Sequence, residues 1–306
     1  MPETIINIAL LFALPFFFLG IINRVKSFWA GRQGPPMMQS LRDFVKLMKK
    51  GEVISTTSSF VFRIAPSATF ASVIAAGLVV PLAGGRSALS FEADFILFAY
   101  LLGIGKFLTI IGALDTGSSF EGMGASREAA FSALVEPAFF MIIGSLGIIS
   151  GGMTFERLFM IARSGGPAVL VLPLGFIALF IMLLAEGCRV PVDDPNTHLE
   201  LTMIHEVMVL DNSGPDMGMI MYAAGMKMII IGALIANLFI PSGIPFWASL
   251  GLFVAVEAAL AVVIGTVESV MARLRMTHVP QFLLFMTAIS VVILSTVVLF
   301  ISGGIQ

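Results

Sequence analysis

Charge is what this sequence has least of. Charged residues make up 12% of the 306 residues while hydrophobic ones make up 58%. A soluble domain carries roughly 25% charged residues, so the chain has too little polar surface to cover a water-soluble particle. The bilayer must supply the missing apolar solvent. Cysteine is nearly absent as well. Cys188 stands alone, which excludes an intrachain disulfide and any cysteine-ligated cluster held by this chain by itself. The net charge of −2 decides little, because distribution matters more than the sum.

What is present is a series of long apolar runs. A span needs about 20 mostly apolar residues. Eight segments qualify, near 4–23, 64–83, 95–114, 130–150, 168–186, 219–240, 245–267 and 280–302. They predict an all-α integral membrane protein in one membrane domain over 1–306. The first run lacks a basic segment ahead of it, and Arg24 and Lys26 follow it. It therefore reads as a membrane helix and not as a signal peptide.

Orientation follows from lysine and arginine. With the amino terminus outside, twelve of the seventeen fall in the cytoplasmic loops 24–63, 115–129, 187–218 and 268–279. Only Arg86, Arg157 and Arg163 lie on the other side, and Lys106 and Lys227 sit within spans.

The cytoplasmic loops carry most of the information. In the first, Leu41, Phe44, Val45, Leu47 and Met48 alternate with Arg42, Lys46, Lys49 and Lys50. That pattern predicts a short amphipathic helix on the membrane surface, suited to anionic headgroups or a partner protein. The second, from Asp115 to Ala130, has glycines at 117, 122 and 124 that allow positive φ or close approach. Ser126 is placed there to cap the fourth span. The P-loop pattern is absent. In the third, Asp194 caps a helix that has Pro195 at its first position, or Thr197 and Glu200 form a capping box. His198, Thr202 and His205 then share a helix face, without the zinc-protease spacing. No metal site is expected.

Ionisable residues inside a membrane mark paths or partners. Lys106, Glu136, Lys227 and Glu257 lie within spans, and Glu186 and Glu268 at their cytoplasmic ends. Glu136 is expected to be buried beside Lys106. Lys106 precedes Glu136 by the same interval as Lys227 precedes Glu257, in spans of opposite sense, as an inverted repeat would require.

Taken together, these loops resemble the membrane subunit shared by group 4 energy-converting NiFe hydrogenases and respiratory complex I. The likeness rests on Arg32 to Lys49, on Asp115-Thr-Gly-Ser-Ser-Phe through Arg127-Glu128, and on Val135-Glu136-Pro137. These are similar to the formate hydrogenlyase subunit 4 and hydrogenase-4 component C type. Arg189-Val-Pro-Val-Asp193 is similar to the arginine-x-proline-x-aspartate turn of complex I subunit 1, and Met271-Ala-Arg273-Leu-Arg275 to the family's last cytoplasmic loop. The stretch Thr197 to Glu206 departs from complex I, which bears on quinone binding.

The resemblance implies a non-catalytic subunit in a prokaryotic inner membrane. It would bind a NiFe-hydrogenase-like large subunit, a small iron–sulfur subunit, antiporter-like membrane subunits and lipid, and not nucleic acid. The NiFe centre and iron–sulfur clusters would belong to those partners, with no cofactor here. Arg32, Asp43, Asp115, Glu121, Arg127, Asp193 and Glu206 are expected at the docking surface. Glu136, Lys106, Glu186, Lys227 and Glu257 are expected in a proton or sodium route. The alternatives are a quinone-binding subunit of a complex I-like oxidoreductase and a stand-alone cation–proton transporter.

Sidedness is checked by cysteine labelling in a Cys188→Ser background. Ser40→Cys and Ser213→Cys should react with an impermeant maleimide only from the cytoplasm, and Ser87→Cys only from outside. Reaction at Ser87→Cys from inside would reverse the topology.

Overall fold

The computed structural model describes residues 2–161, 168–194, 203–241 and 243–302. Among these residues every regular element is helical. Arg163, the cap at Pro195, the Thr197–Glu200 capping box and the face of His198 and Thr202 lie outside the described residues.

The helices in order are α1 (Pro2–Trp29), α2 (Gln39–Met48), α3 (Phe60–Val79), α4 (Asp94–Asp115), α5 (Ser119–Ser150), α6 (Phe155–Ile161), α7 (Ala168–Glu186), α8 (Gly214–Phe239), α9 (Phe246–Val270) and α10 (Val279–Ser302). Seven of them, α1, α3, α4, α5, α8, α9 and α10, are long and apolar enough to cross a bilayer. The apolar part of α7, Val171–Glu186, is shorter. Prolines 15, 66, 137 and 173 lie inside helices, where neighbouring helices make them tolerable in a membrane protein.

Helix α8 is the hub. It is the most buried span, 72% of its apolar window against 22–44% for the other six, and it touches α1, α2, α3, α7 and α9. Helix α3 packs closely on α4 because Gly105 and Gly112 face Ser72 and Ala65 with no room for a Cβ. The Thr69 hydroxyl donates to the Gly105 carbonyl across that seam, 2.9 Å. Small residues and hydroxyls replace hydrophobic driving force between membrane helices. Helix α10 closes the bundle against α5 and α7. Helix α2 seats Phe44, Leu47 and Met48 against Gly218 of α8 and leaves Arg42 and Lys46 exposed.

Helix α5 differs from expectation. It starts at Ser119, so residues 119–129 extend the span as helix where a loop was expected. Its glycines explain why. Only Gly117, before the helix, has a positive φ, 73°. At Gly124 a Cβ would lie 2.4 Å from Val207 and 2.8 Å from the Ile204 carbonyl. That glycine therefore serves close packing within a helix and not a turn. Ser126 is no cap: its hydroxyl donates back to the Gly122 and Met123 carbonyls inside α5.

Gly20 holds α1 against the segment leading into α2. A Cβ there would sit 2.2 Å from the Met37 carbonyl oxygen, a backbone atom that cannot swing away. Gly20→Ala should therefore cost about 1–3 kcal/mol by overpacking, despite alanine's better helix propensity. Gly144→Ala on α5, where nothing lies within 4 Å, should leave stability unchanged or raised. Thermal unfolding of the two variants in detergent decides; equal midpoints would contradict the packing argument.

Candidate functional site

Seven ionisable groups form a chain that joins the helix bundle to the loops after α7 and α9. Lys227 on α8 lies 3.6 Å from Glu186 at the end of α7. Lys106 on α4 donates to the other Glu186 oxygen at 2.5 Å and lies 3.7 Å from Glu128 on α5. His205 brings Nε2 to 3.0 Å from Glu128 and Nδ1 to 3.4 Å from Asp193. Arg273, after α9, closes the chain on Asp193 at 2.9 Å. A second cluster lies beside it: Glu268 on α9, with no side-chain exposure, takes Lys26 at 2.7 Å and Arg189 at 3.3 Å.

Local backbone fixes each partner. Glu128, Ser132, Val135 and Phe139 form the buried stripe of α5, and Ser132 donates to Glu128. The segment after α7 turns back at Cys188, whose φ is +55°, and Val190–Pro191 is cis. This turn delivers Arg189 and Asp193 inward, where both are buried. Asp193 then accepts from the backbone N–H groups of Asp194, Ile204 and His205 at 2.9, 3.1 and 2.9 Å. One carboxylate thus ties the residues after α7 to those before α8.

The sites expected from sequence separate into groups. Lys106, Glu186 and Lys227 meet in the chain. Glu136 does not fill the buried position expected of it. Its side chain is exposed on the outer face of α5, one residue out of phase with the Val135 stripe. It lines a cavity of about 200 Å³ that also holds Lys106 and Glu186. Glu257 is 2% exposed on α9 with both oxygens unpartnered, lying over Gly232 of α8 at 2.6 Å from where a Cβ would stand. Lys227 turns to Glu186 and away from Glu257, so the equal spacing of the two Lys–Glu pairs is not matched by equal pairing.

Of the residues expected at the docking surface, Arg32 is exposed, while Glu121 and Asp193 are buried. Asp43, Asp115, Arg127 and Glu206 are half-buried. Asp115 accepts from the Ser59 and Phe62 N–H groups at the start of α3, Glu121 from Asp211, and Arg127 donates to the Met203 carbonyl. Asp115 thus satisfies free N–H groups at the start of α3, while Glu121 and Arg127 tie α5 to the segment before α8. Glu128 and His205 were missed as a pair. The signal available for Glu128 was its spacing to Ser132 and Val135.

A cavity of about 350 Å³ opens between α1, α2 and α8, lined by Phe16, Phe44 and Tyr222 with Asp43, Arg189 and Glu206. Phe16 stacks on Tyr222 at 4.7 Å. Among the described residues no group of three or more His, Cys, Asp or Glu is arranged to hold a metal ion.

The NADH dehydrogenase family pattern matches residues 3–300. The chain belongs to this family. Hydrogenase-4 component C of Escherichia coli is 30% identical over 234 residues, 76% of this chain and 73% of that protein. Formate hydrogenlyase subunit 4 of the same organism is 28% identical over 90% of this chain and 92% of its own length. NADH-ubiquinone oxidoreductase chain 1 of Triticum aestivum is 28% identical over 80% and 76%. A chain of an archaeal membrane-bound sulfane sulfur reductase, a respiratory membrane complex, shares the fold at a TM-score of 0.81, covering 96% of this chain and 98% of that one at 22% identity. This chain is accordingly a multi-pass membrane subunit of a complex I-like or hydrogenase-type respiratory complex.

The loop junction carries a pH signature. Burial pushes the Asp193 carboxyl up, but the His205 ring and N–H and the Arg273 guanidinium outweigh it and hold it at about 2. Burial also disfavours a charged His205, yet Cys188, Glu128 and Asp193 together raise it well above 6.5. Asp193 stabilisation is present above the ordinary carboxylate value and is lost as pH falls through about 2. His205 stabilisation is complete below 6.5 and is lost as pH rises through its elevated value. Protease nicking of loop 187–218 should therefore stay low through neutrality and rise on the alkaline side. In His205→Gln nicking should be higher already at neutral pH, with no alkaline rise. The same alkaline rise in the variant would contradict the assignment.

Proposed function

We propose that this subunit anchors the hydrophilic redox arm of a hydrogenase-type complex on its cytoplasmic face and couples electron transfer there to ion movement in the membrane. The observation that carries this reading is the unbroken ion chain from Arg273 and Asp193, through His205, Glu128, Lys106 and Glu186, to Lys227. A row of alternating charges shifts as a unit when one member gains or loses a proton, because each buried charge depends on the next. Glu136, open to the side beside Lys106, is the exit toward a neighbouring antiporter-like membrane subunit. Arg32 and the exposed face of α2 belong to the arm's docking surface. Nickel, iron and iron–sulfur clusters sit in the arm. The amino terminus faces outward, in keeping with the loop charges.

The aromatic cavity beside α2 favours a second reading, a quinone headgroup seated between Tyr222 and Phe44. A stand-alone transporter fits less well, since relatives with 28–30% identity over most of the chain are named as components of larger enzymes.

Glu136→Gln tests the coupling role. The variant complex should assemble and pass electrons to soluble acceptors normally, while ion uptake into proteoliposomes falls about ten-fold or more, as when a proton-transferring group is lost. Glu136→Asp, which still titrates, should retain part of the uptake. Wild-type uptake by Glu136→Gln would remove Glu136 from the route.

A further inference from the structure

His205 occupies a position that the ion chain cannot do without. Among the described residues it joins the loop side of the ion chain to the membrane side: Asp193 and Arg273 lie on one side of it, and Glu128 and Lys106 on the other. Its two ring nitrogens address the two sides separately, Nδ1 to Asp193 and Nε2 to Glu128. The ring side chain is 16% exposed, so it borders the cytoplasm while Glu128 is buried. Although Nε2 lies 3.0 Å from Glu128, it makes no aligned hydrogen bond. The contact is a close charge pair in which a small turn of the ring decides how the N–H meets the carboxylate. The loop that carries the ring is held by Asp193 at the Ile204 and His205 N–H groups and by Arg127 at the Met203 carbonyl. Small movements of that loop therefore turn the ring relative to Glu128.

We propose that His205 is the proton-carrying contact between the cytoplasmic face and the membrane chain, and that the position of its loop gates the transfer. This rests on the coupling function proposed above and names where the proton enters. When the loop brings the ring into line, the Nε2–H bond breaks and an O–H bond forms on Glu128, leaving neutral imidazole and neutral carboxylic acid. Lys106 then has only Glu186 to pair with, and the charge displacement passes inward. A hydronium ion from the cytoplasm then returns a proton to Nε2, while Nδ1–H stays on Asp193 and keeps the ring oriented. A histidine suits this because one nitrogen anchors the ring while the other takes up and releases a proton near neutrality. The groups facing the ring are Glu128 from α5, Asp193 and Cys188 from the turn after α7, with Lys106 and Arg273 one contact further.

Two measurements test it. In the full-length chain in lipid nanodiscs, nitrogen-15 NMR of the three histidines, assigned with His205→Gln, should show His205 protonated on both nitrogens at a pH of about 7.5. Glu128→Gln should lower its titration, with Asp193 and Cys188 still holding it above the ordinary value. A neutral ring in wild type, or a titration indifferent to Glu128→Gln, overturns the bridge whatever the complex does. In proteoliposomes of the whole complex, His205→Gln should lower ions moved per electron about ten-fold and leave electron transfer to soluble acceptors within about two-fold. His205→Lys keeps a positive charge but holds its proton at neutral pH, and should assemble normally yet remain uncoupled. Wild-type coupling in His205→Lys would make the ring a fixed counter-charge and sink the relay. If Glu136→Gln is uncoupled while His205→Gln transports normally, the relay alone fails. If both transport normally, the coupling function falls with it.

Discussion

Burying charge in a low-dielectric interior governs this structure. An ionised side chain deep in a bilayer protein costs several kcal/mol unless it is paired, and here the partners are drawn from helices far apart in sequence. Lys106, Glu128, Glu186, Lys227 and His205 come from α4, α5, α7, α8 and the loop before α8. Their pairing fixes how those helices rotate about their axes, which apolar side chains alone specify weakly among lipid tails as apolar as leucine. The small-residue seams, such as Gly105 and Gly112 against α3, then allow the backbones to approach closely enough for short side chains to meet.

The same constraint makes the interior responsive. Removing one partner of a buried pair strands the other, at roughly 3–5 kcal/mol. A change of protonation at one end must therefore be answered along the row. The loop junction is where that row meets water. Asp193 gathers three backbone N–H groups, His205 and Arg273, so the residues flanking α7, α8 and α9 and the charge state of the ion chain meet at one carboxylate. The neighbouring Glu268 cluster ties α1, α9 and Arg189 together in the same way without joining the row.

Much of this was legible in the sequence, and the rest was not for physical reasons. Apolar length led to eight expected spans where seven helices are long and apolar enough and the apolar part of α7 is shorter, and rarity of charge singled out Lys106, Glu186 and Lys227. Which way an intramembrane residue points is another matter. A helix apolar on all sides gives no phase, so Glu136 was read as buried when it faces outward one position from the Val135 stripe. Glycine identity left two readings open before and within α5, positive φ or close approach, and Gly117 takes the first while Gly124 takes the second against Val207. Glu128 and His205 look like loop residues in sequence, and the inward Asp193, bonded to the Ile204 and His205 N–H groups, brings the ring to the buried face of α5. Glu257 shows the converse. It has the composition of a route residue, yet it lies alone over Gly232 with no partner for either oxygen.

The central claim is that the buried ion chain, and not the anchoring of the arm by itself, makes this subunit a coupling element. Lys106 sits at its middle, shared between Glu128 and Glu186, and is the residue whose loss divides it. The most direct measurement is the number of ions moved per electron by the whole complex carrying Lys106→Met, which keeps the length of the side chain and removes its charge. The account predicts an assembled complex that transfers electrons to soluble acceptors while ion movement falls about ten-fold or more. An unchanged ion-to-electron ratio in that variant would contradict it.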